Sequence, residues 1–139
     1  MSTHSFNGPA AAFATMADIS SCSWGNFGMR DTSSEPRVAF NNSSTYGSGA
    51  ITNTYFNALY SVLSDSNTLA LAIANGTEFA DVNKISMVAK LGQALSVGYL
   101  ALVFDQVWLS DETGIIAGSG TEGSSGYADA MTFALGKLD

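Results

Sequence analysis

The stretch VNKISMVAKLGQALSVGYLALVFDQVW, residues 82–108, decides the fold. Its large apolar residues recur every three or four positions, the spacing of one helix face, and they are Ile85, Val88, Leu91, Leu95, Tyr99 and Leu102. Gly92 and Gly98 each cost a helix about 1 kcal/mol relative to alanine. We therefore expect these glycines, with Ala94 and Ala101, to line a groove of small residues that admits a neighbouring helix.

The neighbour is predicted just before it in the chain. Apolar residues fall at helical spacing over Thr52–Ala74, Gly76 is suited to end that helix, and Asp81 can cap the next one. We expect the two long helices to form a tight antiparallel hairpin that leaves a hydrophobic flank uncovered. Shorter helices are predicted from Pro9 and over Tyr127–Leu138.

Composition favours one globular domain that is poor in charge. The 139 residues are 46% hydrophobic and 12% charged, with a net charge of −7. This acidic balance opposes contact with phosphate backbones, so nucleic acid is excluded as a partner. The longest apolar run without a charge, residues 91–104, is shorter than the roughly 20 residues that cross a bilayer, so no membrane-spanning helix is expected.

The predicted fold class is all-α. It consists of a tetratricopeptide-like helical hairpin with flanking short helices and an irregular N-terminal segment, in a single domain over residues 1–139. Residues 1–50 are predicted to be mostly irregular and residues 51–139 helical.

Side chains with catalytic or metal-binding chemistry are scarce. One histidine and one cysteine, His4 and Cys22, cannot build a Cys/His zinc site or an internal disulfide. Asp105, Asp111 and Glu112 bunch near the end of the long helix, and we interpret them as a solvated helix end because they lack the spacing of a calcium loop. We predict a protein that is not an enzyme and that uses no metal and no cofactor.

The sequence GSGTEG, residues 118–123, has the glycine spacing of a dinucleotide-binding loop. No strand is predicted to lead into it, and Glu122 would place an anion where a phosphate binds. We interpret residues 118–123 as a flexible connecting loop.

Aromatic, amide and guanidinium groups concentrate in the irregular N-terminal segment. Aromatic rings stack on the apolar faces of sugars, and amide and guanidinium groups bond to hydroxyls, so this mixture suits a neutral polyhydroxylated ligand. It also suits a loop that packs against the helices through its own side chains. The candidate ligand-binding residues are Trp24, Asn26, Arg30, Arg37, Phe40 and Asn41.

Four stretches of the chain resemble the N-terminal part of the SusD/RagB family. They are SWGNF at residues 23–27, SEPR at 34–37, YFNALY at 55–60 and ALSVGYLALVFD at 94–105. Members of that family are outer-membrane nutrient-binding lipoproteins of Gram-negative bacteria, built on tetratricopeptide-like helix pairs. The resemblance implies that this chain is part of a larger fold of that kind.

The resemblance also implies a function. It implies non-enzymatic binding of an oligosaccharide or another oligomeric nutrient at the cell surface, for delivery to a TonB-dependent transporter in the outer membrane. Neither a secretory signal nor a lipid anchor is expected within this chain, because residues 1–6 lack a basic and an apolar part and Cys22 does not fit the lipid-bearing position.

A second hypothesis is a self-assembling structural subunit of a surface filament or tube. Low charge, abundant Ser, Thr, Asn and Gly, and helices with uncovered apolar faces are typical of a protomer that buries those faces in identical neighbours. The expected partner is then a second copy of the chain rather than an oligosaccharide and a transporter.

Overall fold

The computed structural model describes residues 9–19, 21–22, 28–34, 41 and 43–139. The chain divides into two compact units, Met1–Asn57 and Ala58–Asp139. The expectation of one domain over residues 1–139 stays a prediction.

Two short helices are described in the first unit. Helix α1 spans Pro9–Met16, so it starts at Pro9 as the sequence predicted. Helix α2 spans Met29–Thr32. The hydroxyls of Thr15 and Thr32 lie 2.8 Å apart in a buried hydrogen bond that joins these helices. The ring of Phe13 meets the ring of Tyr55 edge-on, with centroids 4.9 Å apart, which is a favourable aromatic geometry.

The two long helices are α3, Ala50–Ala74, and α4, Val82–Val103, and both predicted caps between them are confirmed. Gly76 has a φ of +80°, and the N–H of Thr77 donates to the Ala72 carbonyl at 3.0 Å, so α3 ends in a Schellman motif. The Asp81 carboxylate accepts the backbone N–H of Lys84 at 3.1 Å and starts α4.

The two glycines of α4 serve two different neighbours. A Cβ on Gly92 would overlap the Ser66 hydroxyl of α3 and lie 3.2 Å from the Ser66 Cβ. A Cβ on Gly98 would instead meet the Cβ of Ala134 at 3.7 Å, in helix α5, Tyr127–Gly136. The predicted close approach of α3 to α4 is therefore confirmed at Gly92. The expectation that both glycines line one groove for the same neighbouring helix was wrong, because Gly98 faces α5.

Helix α4 buries mostly small and polar residues and exposes most of its large apolar ones. The buried residues are Ala89, Gln93, Ala94, Ser96, Val97, Leu100 and Ala101. Along the predicted apolar face, Ile85 is partly buried, and from Val88 onward the exposed fractions run from 48% at Leu91 to 71% at Leu102. The uncovered hydrophobic flank expected from the sequence is thus present in the second unit.

The segment after α4 contains short strands, so the chain is mostly helical but not all-α. Strands β1, Gln106–Val107, and β4, Ser125–Gly126, pair antiparallel, as do β2, Leu109–Asp111, and β3, Gly114–Ile116. The predicted helix to Trp108 was wrong beyond Val103. Inward-facing Val107 and Leu109 alternate there with the 40% exposed Trp108, which is the period of a strand. The tetratricopeptide-like arrangement stays a prediction.

The glycine-rich segment folds back on itself instead of forming a flexible loop, so that interpretation was wrong. The N–H of Gly118 donates to the Gly123 carbonyl and that of Gly120 to the Ser124 carbonyl, both at 2.8 Å. Ser124 is fully buried, and a Cβ on Gly118 would overlap its carbonyl oxygen. The glycine spacing here lets two stretches of backbone pack together.

Helix α4 also has the length and hydropathy of a membrane-spanning segment. It has 22 residues, and its most apolar window has a mean hydropathy of 1.4. Core helices of soluble proteins pass the same test, and 39% of that window is buried here. The charge-free run of residues 91–104 is only part of this longer helix, so the sequence alone predicted no such segment.

We predict that alanine substitutions at the two α4 glycines change stability in opposite directions. Gly98→Ala adds helix propensity in an ordinary van der Waals contact and should stabilise the fold by up to about 1 kcal/mol. Gly92→Ala forces α3 away and should destabilise it by about 1–2 kcal/mol, the overpacking cost less the propensity gain. Urea unfolding measures both. Stabilisation by Gly92→Ala would contradict the close approach, and adding Ser66→Gly should restore stability.

We also predict that Gly118→Ala destabilises the fold by about 1–3 kcal/mol, because the new methyl group overlaps the Ser124 backbone. Gly126→Ala is the matched control, since a Cβ there meets nothing within 4 Å. Thermal unfolding of the two variants should show a lowered midpoint for Gly118→Ala alone. Equal midpoints would mean that the loop moves freely.

Candidate functional site

A buried side-chain amide, that of Gln93, lies at the centre of the main polar cluster in the second unit. Its side chain is 1% exposed, and its Nε2 donates to Asn67 Oδ1 of α3 and to Glu112 Oε2, both at 2.9 Å. Asn67 in turn donates to the Ser110 hydroxyl at 3.0 Å. One amide thereby joins α3 and α4 to the β2–β3 hairpin.

The turn between β2 and β3 is fixed by its own side chains. Its sequence is Asp111-Glu112-Thr113-Gly114, with Asp at the first and Gly at the fourth position, as type I turns favour. Asp111 Oδ1 accepts hydrogen bonds from the N–H of Thr113 at 2.8 Å and from the Thr113 hydroxyl at 2.6 Å. This Asx-type arrangement fixes the conformation of the turn.

Lys137, at the end of α5, neutralises the two carboxylates of this turn. Its Nζ lies 3.1 Å from Asp111 Oδ2 and 3.5 Å from Glu112 Oε2, and it sits 5.1 Å from the centre of the Phe133 ring. The side chains of Lys137 and Asp111 are only 17% and 14% exposed. The Lys137–Asp111 pair is therefore largely shielded from water, unlike most surface salt bridges, whereas the Glu112 side chain is 33% exposed.

This environment keeps both carboxylates ionised at neutral pH. Burial alone would raise the pKa of Asp111, but hydrogen bonds from Thr113 and Lys137 outweigh it and leave that pKa below its ordinary value. The hydrogen bond from Gln93 is the main cause that lowers the pKa of Glu112. Both groups therefore act as hydrogen-bond acceptors rather than as acids.

Tyr60 of α3 ties the start of the strand region to the helix. Its hydroxyl accepts the N–H of Trp108 at 2.7 Å and donates to the Trp108 carbonyl at 3.0 Å. Burial raises the pKa of Tyr60, so the phenol stays protonated as a donor. The ring of Tyr60 is thereby held at one end of a groove.

An open groove of about 490 Å³ runs between α3 and the β2–β3 hairpin. Its walls combine one aromatic ring, two leucines and several hydroxyl, amide and carboxylate groups. The residues that line it include Tyr60, Ser64, Asn67, Thr68, Ser110 and Asp111. Ser64 and Thr68 are exposed on the α3 wall, whereas Asn67 is held by its two hydrogen bonds. The groove therefore offers a mixed polar and apolar surface that is already ordered.

The ligand-binding cluster predicted from the sequence is described at only two positions. Arg30 and Asn41 are both exposed, and the Asn41 side chain accepts the N–H of Ser43 at 3.0 Å. Neither lines the groove at the β2–β3 hairpin. Trp24, Asn26, Arg37 and Phe40 lie outside the described residues, so this cluster stays a prediction.

The sequence analysis missed one residue of the groove network, Gln93, and misinterpreted two others, Asp111 and Glu112. Gln93 lies beside the apolar stripe of α4, and an amide among buried small residues is a signal that it bonds across an interface. Asp111 and Glu112 were interpreted as a solvated helix end, which was wrong because they form a turn paired to Lys137. The Asp-x-x-Gly spacing could have identified that turn.

No group of three or more His, Cys, Asp or Glu side chains is placed to hold a metal ion among the residues that the structure describes. The two carboxylates at the hairpin turn already share an ammonium group.

We predict that Lys137→Met destabilises the fold at neutral pH by about 1–3 kcal/mol, since it leaves two half-buried carboxylates without their cation. The pKa values of both carboxyl groups are lower in the folded state than their ordinary values of 3.8 and 4.5, so the ion pairs stabilise the fold at a pH above those ordinary values. This contribution is lost as the pH falls through the lowered pKa values of the folded state. The stability difference between wild type and variant should therefore shrink below about pH 4. Urea unfolding at pH 7 and pH 3 measures it.

Lys90→Met is the control, because Lys90 is exposed on α4, where solvent screening leaves a single charge with little effect on stability. If the difference in unfolding free energy between wild type and Lys137→Met were the same at both pH values, the ion-pair assignment would be contradicted.

Comparison of the chain with protein-family models, with curated proteins and with solved structures finds no match.

Proposed function

We propose that the chain binds a neutral, hydroxyl-rich oligomer such as an oligosaccharide, without chemical change, in the groove between α3 and the β2–β3 hairpin. The observation that carries the proposal is the composition of the groove, in which the Tyr60 ring stands beside fixed amide, hydroxyl and carboxylate groups. Sugars require both kinds of surface, because their CH faces stack on rings while their hydroxyls donate and accept hydrogen bonds.

The size and order of the groove support this proposal. A volume of about 490 Å³ lies within the range of small-molecule sites and leaves room for a few sugar units. Asn67 and Ser110 already bond to each other, so their polar atoms lose little conformational freedom when a ligand arrives. The groove is open along its length, which suits one segment of a longer polymer.

Electrostatics favour binding over catalysis and neutral over anionic ligands. Sugar hydrolysis by two carboxyl groups needs one with a raised pKa that can donate a proton, whereas the pKa values of Asp111 and Glu112 are both lowered. The acidic groove wall and the net charge of −7 repel anionic ligands.

The resemblance of the sequence to the SusD/RagB family extends the proposal to a cellular role. In that role the chain forms part of a cell-surface protein that captures the oligosaccharide and passes it to a TonB-dependent transporter of the outer membrane.

We predict that Thr68→Arg weakens binding of neutral oligosaccharides at least tenfold, because the long side chain fills the groove from the α3 wall. Isothermal titration calorimetry against short neutral oligosaccharides and their uronic-acid counterparts measures the affinity. Thr132→Arg in α5 is the matched control. Both threonines are exposed on helices and bond to the carbonyl four residues earlier, at 2.9 Å for Thr68 and 3.0 Å for Thr132.

The proposal is wrong if the wild type releases no heat with any neutral oligosaccharide, or if the two threonine variants bind equally well. Trp24→Ala separates the groove from the site predicted in the N-terminal segment. Loss of binding in Trp24→Ala, with Thr68→Arg unaffected, would move the ligand to that segment.

A further inference from the structure

The exposed apolar surface of the second unit is a separate feature from the groove. It consists of Val88, Leu91, Leu95, Tyr99 and Leu102 of α4 with Leu135 of α5, and we call it the α4–α5 face. Each of these residues is between 48% and 71% exposed. A shallow cleft of about 260 Å³ runs along it between the two helices, over Gly98 and Ala134.

The area of this face is large for a surface that meets only water. At on the order of 150 Å² for a fully exposed large apolar side chain, its six residues present roughly 500 Å². That value lies at the upper end of the apolar patches found on monomers. Two such faces together would bury roughly 1,000 Å², which is the lower bound of a specific protein interface before any polar rim is counted.

The face is complementary to itself when two copies of α4 run antiparallel. Consider a two-fold axis that passes between Ala94 and Leu95. Leu91 and Gly98 are equally far from this axis along the helix, so Leu91 of one protomer lies opposite Gly98 of its partner. The large side chain thereby meets the cleft over the one residue without a side chain. The same operation repeats this contact on the other side of the axis.

Charge at the two ends of the face fits the same arrangement. Lys84 is exposed near the start of α4, where its ammonium lies 3.0 Å from Asp81 of the same protomer, and Asp105 is exposed just beyond the end of the helix. Antiparallel packing brings Lys84 of one protomer beside Asp105 of its partner, twice per dimer. The opposed helix dipoles also favour this orientation over a parallel one.

We propose that the α4–α5 face is the contact surface of a two-fold homodimer in which α4 packs antiparallel against α4 of a second copy. The axis closes the contact, so the product is a dimer and not a filament.

A charge exchange tests this geometry directly. Sedimentation equilibrium from low micromolar to submillimolar concentration should give a dimer for the wild type. Lys84→Glu and Asp105→Lys should each raise the dimer dissociation constant about three- to tenfold, because each places like charges together at both ends. The double variant Lys84→Glu/Asp105→Lys restores both pairs and should return the constant to near its original value.

A central substitution and a cross-link complete the test. Leu95→Arg sets two cations face to face at the axis and should yield a monomer, with an unchanged circular dichroism spectrum because Leu95 is half exposed. In a Cys22→Ser background, Leu95→Cys should form an intermolecular disulfide under mild oxidation, whereas Ile115→Cys, 85% exposed on β3, should not.

A wild type that is monomeric at all concentrations overturns the proposal, and monomers that bind to phospholipid vesicles through Leu95 would assign the face to a membrane instead. A dimer that survives Leu95→Arg, or a double charge variant no tighter than the single ones, also overturns it. Longer oligomers would indicate an open, filament-forming contact.

Discussion

The second unit depends on satisfying one buried amide. The side chain of Gln93 is almost completely removed from water, and a polar group so placed destabilises the fold unless its hydrogen bonds are made inside the protein. Its two bonds reach Asn67 of α3 and Glu112 of the β2–β3 hairpin, so both elements must lie against α4. Glu112 then needs a cation, and Lys137 supplies it from the end of α5. Four elements of the second unit are thereby held in one arrangement.

The same constraint explains why most residues that α4 buries are small or polar, with Val97 and Leu100 as the exceptions. Asn67 can reach Gln93 only if the helix axes are close, which requires Gly92 beside Ser66. A leucine in that contact would separate the helices and break the bond. Successive residues of a helix turn by about 100°, so Leu95 lies on the side of α4 away from Gln93. The α4–α5 face therefore lies on the side of α4 away from the Gln93 hydrogen bonds that hold the groove walls.

Local sequence signals predicted the helices and their caps, and long-range contacts decided the rest. Gly76 and Asp81 act through hydrogen bonds to residues three to five positions away, so their roles can be inferred from sequence. The strands after Val103 could not, because Trp108 interrupts the alternation of apolar and polar residues and each strand gains its hydrogen bonds from a distant partner. The groove combines Tyr60 with Trp108 and Asn67 with Ser110, pairs that are more than forty residues apart and share no motif. Spacing alone cannot pair such residues.

Ligand binding and association between copies are physically separable in this arrangement. A ligand in the groove would contact α3 and the hairpin, which are held by Gln93 and Lys137 and need not move to admit it. An antiparallel partner would contact α4 and α5 on their apolar side, where the described contacts are van der Waals contacts at small residues such as Gly98 and Ala134. Binding at one surface could change the affinity of the other only if it shifted a helix or strand between two arrangements. The buried network instead favours a single arrangement, because a shift of α4 would leave the Gln93 amide without acceptors. We therefore expect each surface to keep its affinity when the other is occupied.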